Sequence, residues 1–327
     1  MPTNPPIAVA VLDDYQGVAL RMADWSVLHE RAEVTVFRDH LSEPDAVVAR
    51  LLPFDVVCVM RERTPLTRSI LEQLPNLKLI ASTGSRNASI DLAAARARGI
   101  TVCGTGFNPA HPNSNSTAEL TWALILAMVR HIPAESALVR QGGWQTSIGA
   151  DLEGKTLGVL GLGRIGGAVA KIGGVFGMEV TAWSQNLTHE AAGQHGARLV
   201  GKDELFRDAD IVTIHLMLSD RTRGIIGARD IRMMKPSAYL VNTSRGPLVD
   251  EAALIDALRW RKIAGAALDV YDTEPLPLDH PFRSLDNVLA TPHIGFVTQD
   301  TYETFYSQTI EIIIAWLDGK PVRVMEG

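Results

Sequence analysis

Short apolar, β-branched runs alternate with segments of helical spacing through the first hundred residues. The runs are IAVAVLD (7–13), VTVF (34–37), DVVCVM (55–60), LKLIAS (77–82) and ITVCG (100–104). Between them SEPDAVVARLL (42–52), LTRSILEQL (66–74) and SIDLAAARAR (89–98) place apolar residues three and four apart behind acceptable caps. Strands that are apolar almost throughout, separated by helices, predict a parallel sheet covered on both faces.

A longer helix is expected over 117–131, where Ser116 and Glu119 have capping-box spacing and the body is apolar nearly all round. Such a helix must be buried, and the pattern points to a domain or subunit interface. A second α/β run follows: KTLGVLG (155–161), EVTAWS (179–184), DIVTIHL (210–216), AYLVNTS (238–244), IAGAALDV (263–270) and NVLATP (287–292). The pattern then changes to an amphipathic helix over 301–319, stopped by Gly319 with Pro321 beyond it. No strand of the second run is left to partner that helix, so it is expected to return to the first domain. The expected fold class is therefore α/β, with two doubly wound parallel-sheet domains and 105–295 inserted between 1–104 and 296–327.

Size and composition fit this picture: 327 residues suit two domains, and 46% hydrophobic residues suit a globular chain. The net charge of −6 is spread without long runs, which gives no footprint for nucleic acid or an anionic membrane. Cys58 and Cys103 both lie in apolar runs without metal-ligand spacing, as expected of core residues in a reducing compartment. The N-terminus lacks the basic region of a signal peptide, and LTWALILAMV (120–129) is about half a membrane span. A cytoplasmic location is expected.

The most informative local pattern is Gly161, Gly163 and Gly166, a G-x-G-x-x-G directly after a strand and at the start of a helix. The first glycine permits the tight turn and the second lets backbone approach a pyrophosphate. The third lets helix and strand pack closely while the helix N-terminus faces the phosphates. About 20 residues on, where an NAD site usually has an acid for the ribose 2′-OH, stands Ser184. No arginine lies between it and Arg198 to clamp a 2′-phosphate, so NAD is the expected cofactor and NADP stays open.

Hydride transfer to a ketone needs a cation for the substrate and an acid for the new alkoxide. Arg245, Glu274 and His293 each stand just past one of three consecutive strands of the fingerprinted sheet, at the edge where ligands of such sheets bind. A carboxylate beside an imidazole favours its protonated form, which suits a histidine that gives a proton in one direction and takes it in the other. His215 and Trp122 read as core, and no HExxH or clustered Cys/His set suggests a metal.

In order along the chain, GLGRIG (161–166), DADIVTIHLMLSDRTRGIIG (208–227), MKPSAYLVNTSRGPLVDEAAL (234–254), AALDVYDTEPLP (266–277) and NVLATPHIG (287–295) strongly resemble the D-isomer-specific 2-hydroxyacid dehydrogenases. That group includes phosphoglycerate dehydrogenases and glyoxylate or hydroxypyruvate reductases, and the likeness covers nearly the whole chain. It implies two Rossmann-like domains around a cleft, with the first half as the substrate-facing lobe, and a homodimer through the long helix. It also implies that Arg245 binds the substrate carboxylate and carbonyl, Glu274 orients His293, and His293 is the acid/base. Asp269 matches the residue that holds the nicotinamide carboxamide, and Arg164, Ile165, Ser184 and Thr243 are counted with the cofactor contacts.

In the first half, STGSRNASID (82–91) resembles the family loop whose N–H groups receive the substrate carboxylate. Gly84 and Ser85 are the expected donors and Asn87 the loop brace. Arg86 stands where a small residue is common, and with Arg61 and Arg63 nearby one of the three is expected to read a second anionic group, such as the phosphate of 3-phosphoglycerate. Tyr302 and Tyr306 are candidates to line the site. The expected activity is reduction of a small 2-keto acid or oxidation of the D-2-hydroxy acid. The alternatives are an NAD(H)-sensing, corepressor-like scaffold and a formate dehydrogenase, in which glutamine is expected at the place of Glu274. With the last helix close to Gly327, serine feedback through an appended amino-acid-binding domain is not expected.

Overall fold

A computed structural model describes residues 6–106 and 115–326. The chain divides into two compact units, 1–114 with 298–327 and 115–297.

In unit 1 the strands are β1 (Ile7–Val11), β2 (Ala32–Val36), β3 (Val56–Val59), β4 (Leu79–Ser82) and β5 (Thr101–Gly104). They form one parallel sheet in the order β2-β1-β3-β4-β5. Helices α1 (Pro44–Leu51), α2 (Arg68–Leu71) and α3 (Leu92–Ala97) cover one face, where Ala10, Val57, Val59, Ile80 and Val102 meet Leu51, Leu71 and Ala95. The link from β1 to β2 is built of two short 3₁₀ turns in place of a helix. The last helix of the chain, numbered α11 below and spanning Gln299–Leu317, belongs to this unit and packs on β4, burying Phe305, Ile310, Ile312 and Ile313. Thr298 caps its first turn through a hydrogen bond from Thr301 N–H, and Gly319 just past its end has φ +71°, the left-handed stop that favours glycine.

Unit 2 opens with α4 (Ser116–Val129) and α5 (Ile132–Arg140). There follow β6 (Thr156–Leu160), α6 (Arg164–Val175), β7 (Glu179–Trp183), α7 (His189–Gly193), β8 (Arg198–Leu199), α8 (Lys202–Asp208) and β9 (Ile211–Ile214). The unit ends with α9 (Ala228–Met233), β10 (Tyr239–Asn242), α10 (Glu251–Arg259), β11 (Gly265–Leu268) and β12 (Val288–Ala290). All seven strands are parallel in the order β12-β11-β10-β9-β6-β7-β8, so the winding reverses between β6 and β9. In such sheets the crevice beyond the strand ends at that reversal is the ligand-binding place.

Three local expectations are corrected. α4 is buried, but inside unit 2 itself: Trp122, Ile125 and Val129 pack with Val169, Leu157 and Val180 on one face of the sheet, and Trp122 Nε1–H donates to Val169 O (3.2 Å). On its other side Leu120, Leu126 and Ala127 stay partly exposed. Its N-cap is Asn115, without a side-chain cap bond, so the Ser116/Glu119 capping box does not form. The apolar helix also ends at Val129, and the 132–140 stretch folds as a separate helix with no buried residue.

Candidate active site

The fingerprint turn joins β6 to α6, and each glycine meets a different surrounding. Gly161 has φ +91°, and a Cβ there would lie 2.6 Å from His215 O. At Gly166 a Cβ would lie 1.9 Å from Gly161 O, so helix and turn touch with no room for a side chain. At Gly163 a Cβ would meet nothing within 4 Å, which leaves the approach to the helix end open. Gly163 is the N-cap and offers no side-chain cap, so the N-terminus of α6 keeps its positive end for an anion. The arrangement fits a dinucleotide pyrophosphate. Ser184 directly follows β7, the neighbouring strand, while Arg198 pairs with Glu204 at 2.8 Å and Arg164 donates to Asn115 Oδ1 at 2.7 Å.

Three further strand ends carry polar side chains. Beyond β12, His293 Nδ1–H donates to Glu274 Oε2 at 2.6 Å, and Glu274 Oε1 accepts Tyr271 N–H at 2.9 Å. Glu274 lies in the loop that follows β11. No described residue partners His293 Nε2, and the ring packs edge-on to Phe296. His293 has φ +52°, a left-handed conformation that is costly for a residue with a Cβ.

Asp269 is what holds that conformation. Fully buried at the end of β11, it accepts Thr291 Oγ1–H (2.6 Å) and Ile294 N–H (2.9 Å) on Oδ1, and Gly295 N–H (2.8 Å) on Oδ2. Burial pushes its carboxyl up, opposed by these three hydrogen bonds and by nearby His293. Sequence reasoning assigned Asp269 to the cofactor alone; its bracing of residues 291–295 joins groups more than 20 positions apart and leaves no local sequence pattern.

Arg245 follows β10, next to β11, and its Nη1 donates to Ser244 O at 2.7 Å. The next residue, Gly246, lies so close to the Glu274 loop that a Cβ would fall 2.0 Å from Tyr271 C. The turn carrying Arg245 and the loop carrying Glu274 are therefore in direct contact. Thr243 is buried and bonds to Thr121 (2.8 Å). His215 is half-buried and bonded to Thr213 Oγ1, and desolvation lowers its pKa to about 3, which keeps it neutral and unfit for acid–base work.

Within unit 1, Asn87 braces its loop as expected: Nδ2 donates to Arg61 O and Ser82 Oγ, and Oδ1 accepts Ser89 N–H. One expected donor is corrected. Gly84 N–H is committed to Thr105 Oγ1 (2.7 Å), because the left-handed turn at Gly84 (φ +89°) aims it inward. The N–H groups of Ser85 and Arg86 have no acceptor among the described residues. Arg61 Nη1 overlies Gly84, and Arg63 donates to Asp13 O (2.8 Å) while stacking on Tyr15 (4.4 Å). Arg86 is exposed; Tyr302 and Tyr306 are buried against each other on α11.

Residues 122–295, just over half the chain, match the model of the D-isomer specific 2-hydroxyacid dehydrogenase NAD binding domain. The chain belongs to the D-isomer-specific 2-hydroxyacid dehydrogenase family. It is 41% identical over 297 residues to a D-3-phosphoglycerate dehydrogenase of Methanocaldococcus jannaschii, covering 90% of this chain and 55% of the relative. To a glyoxylate reductase of Aeropyrum pernix it is 39% identical, covering 77% of this chain and 76% of that one. The chain thus spans about half the length of the phosphoglycerate dehydrogenase and most of the length of the reductase. Among solved structures, a phosphoglycerate oxidoreductase from Vibrio cholerae O395 superposes with a TM-score of 0.89 at 38% identity, covering 96% of this chain and 99% of that one. Family membership makes NAD(H) the cofactor of the fingerprint in unit 2 and bears out two Rossmann-like parallel-sheet domains as the fold class.

Proposed function

We propose that this family member interconverts a small D-2-hydroxy acid and its 2-keto acid, of the 3-phosphoglycerate, glycerate/hydroxypyruvate or glyoxylate type, using NAD(H). The observation that carries the reading is the 2.6 Å Glu274–His293 bond at the tips of adjacent strands, next to the strand that presents Arg245, in a sheet with a dinucleotide turn at its reversal. When bound, NAD(H) gives or takes the hydride. The chain supplies the proton chemistry. His293 Nε2 takes the hydroxyl proton in oxidation and returns it in reduction, and the Glu274 carboxylate stabilises the imidazolium between those events. Arg245 fixes the substrate carboxylate and polarises its carbonyl as a planar, permanently charged fork.

Unit 1 contributes the N–H groups of Ser85 and Arg86 to carboxylate binding, with Arg63 and Arg86 reading a second anionic group. Arg63 is held in place by Asp13 and Tyr15, and Arg86 is exposed with no ion pair among the described residues. The exposed apolar side chains of α5 and the segment after it, Trp144 at 74% and Ile148 at 95%, support a homodimer through this arm. The buried free thiols of Cys58 and Cys103 fit a cytoplasmic, reducing setting.

The test is turnover of glyoxylate, hydroxypyruvate and phosphohydroxypyruvate with NADH and NADPH, followed by absorbance. At least one of these acids should be reduced, with NADH at least equal to NADPH; no turnover of any, or a preference for NADPH beyond about tenfold, about 1.4 kcal/mol, refutes the reading as stated. Arg63→Ala and Arg86→Ala should lower use of the phosphorylated acid more than of the others. Equal losses on all three acids refute that role.

Glu274→Gln gives a second expected result. Tyr271 N–H and His293 Nδ1 meet different oxygens of Glu274, and glutamine has an oxygen at only one of those places; with it kept on Tyr271 N–H, the amide N–H faces Nδ1, donates to it and holds the ring proton on Nε2. A fall of about 10²-fold or more in kcat/KM is expected. An unchanged kcat/KM would remove Glu274 from the mechanism.

A further inference from the structure

α4 is an apolar helix, yet the polar side chains at its start reach three of the functional segments of unit 2. Asn115 Oδ1, at its N-cap, accepts Arg164 Nη1–H (2.7 Å) from the fingerprint helix. Thr117 Oγ1–H donates to Gly295 O (3.1 Å), two residues past His293. Thr121 Oγ1–H donates to Thr117 O (2.7 Å), and the same Oγ1 lies 2.8 Å from Thr243 Oγ1, two residues before Arg245.

The last two bonds share an atom, and this fixes the direction of the chain. A hydroxyl has one hydrogen, and a carbonyl oxygen can only accept. The Thr121 hydrogen is therefore spent on Thr117 O, and only its lone pair faces Thr243. Thr243 must donate to Thr121. Thr121 is fully buried, so no solvent hydrogen bond competes for its hydrogen. The remaining lone pairs of Thr243 Oγ1 can only accept from a ligand.

We propose that Thr121 is a positioning residue that acts through Thr243, holding the β10 strand end as a hydrogen-bond acceptor for an N–H or O–H donor of the bound NAD(H). The inference rests on the cofactor placement above and not on the identity of the keto acid. Thr121→Val keeps the shape of the side chain but takes away the acceptor, so the Thr243 hydroxyl turns and its hydrogen becomes available on the ligand side. Thr121→Ser keeps the hydroxyl and loses only a methyl group.

The test is NADH binding to the full chain by fluorescence titration, which needs no substrate. Thr121→Val should raise the NADH Kd about five- to tenfold, Thr121→Ser should stay within about twofold of the parent, and Thr121→Val/Thr243→Val should be no weaker than Thr243→Val alone, because the two hydroxyls act as one unit. A Kd for Thr121→Val within twofold of the parent overturns the proposal. So does equal weakening by Thr121→Ser, which would assign the effect to packing, and so does additivity in the double variant. If Thr121→Val does not fold, equal Kd values for Thr121→Ser and Thr121→Ala decide against it and a selective loss in Thr121→Ala decides for it. Failure of the keto-acid panel with NADH binding intact would overturn the substrate reading and leave this test in force.

Discussion

His293→Ala should lower kcat by about 10³-fold or more while NADH binding stays within about twofold of the parent. General acid–base catalysis is worth about 10²–10⁴-fold, and no described neighbour of His293 can take over: Glu274 is held by Tyr271 N–H and Asp269 by three hydrogen bonds. Alanine keeps the left-handed φ of +52° that histidine already bears but loses the Glu274 bond and the packing on Phe296, so part of any loss is structural. His293→Asn separates the two effects, because asparagine tolerates the left-handed conformation yet cannot shuttle a proton near neutral pH. Both variants should be equally inactive, and the asparagine variant should melt closer to the parent. If NADH binding disappears together with turnover in both, His293 serves the fold and not the reaction.

Substitutions in the fingerprint should divide by position. Gly166→Ala pushes a methyl group to within 1.9 Å of the Gly161 carbonyl, and neither atom belongs to a flexible side chain. The helix must move off the turn, at a cost of about 3 kcal/mol or more, with a lower melting temperature even without ligand. Gly163→Ala meets nothing in the protein and has an ordinary φ of −80°, so the ligand-free melting temperature should fall by no more than about 2–4 °C, the cost of a poorer N-cap. Its methyl occupies the open approach to the helix end, and NADH affinity should fall by about tenfold or more. If Gly163→Ala binds NADH like the parent, the pyrophosphate does not lie over this turn. If Gly166→Ala leaves the melting temperature unchanged, the close approach of α6 to β6 has been misjudged.

Nearly all of the sheet content was legible because buried parallel strands are apolar throughout and stand out as runs such as Val56–Val59 and Ile211–Ile214. β8, two residues long, carries too little pattern to be seen. α4 showed itself as buried, but sequence could not say against what: its apolar surface reads the same whether Leu157 and Val169 or another subunit covers it. α5 was missed because it is only nine residues long, with Pro133 in its first turn, and its apolar residues Ile132, Leu138 and Val139 come directly behind the apolar run of α4. Around the site, Arg245, Glu274 and His293 were legible from their offset after strands. The groups that hold them were not, since Asp269 with Gly295, Gly246 with Tyr271, and Thr121 with Thr243 are encounters between distant residues. Gly84 shows the same limit: its glycine marks a turn, but only the location of Thr105 reveals that its N–H is already engaged.

The discontinuous make-up of unit 1 bears on how the protein is born. β1 to β5 leave the ribosome first, but the α11 side chains that cover β4, among them Phe305 and Ile313, are encoded after residues 115–297. At about 5–20 residues per second those intervening residues take on the order of 10–40 s to synthesise. For that interval the nascent first sheet keeps one face uncovered while unit 2 is able to fold, which makes the emerging N-terminal strands the segment most in need of chaperone shelter.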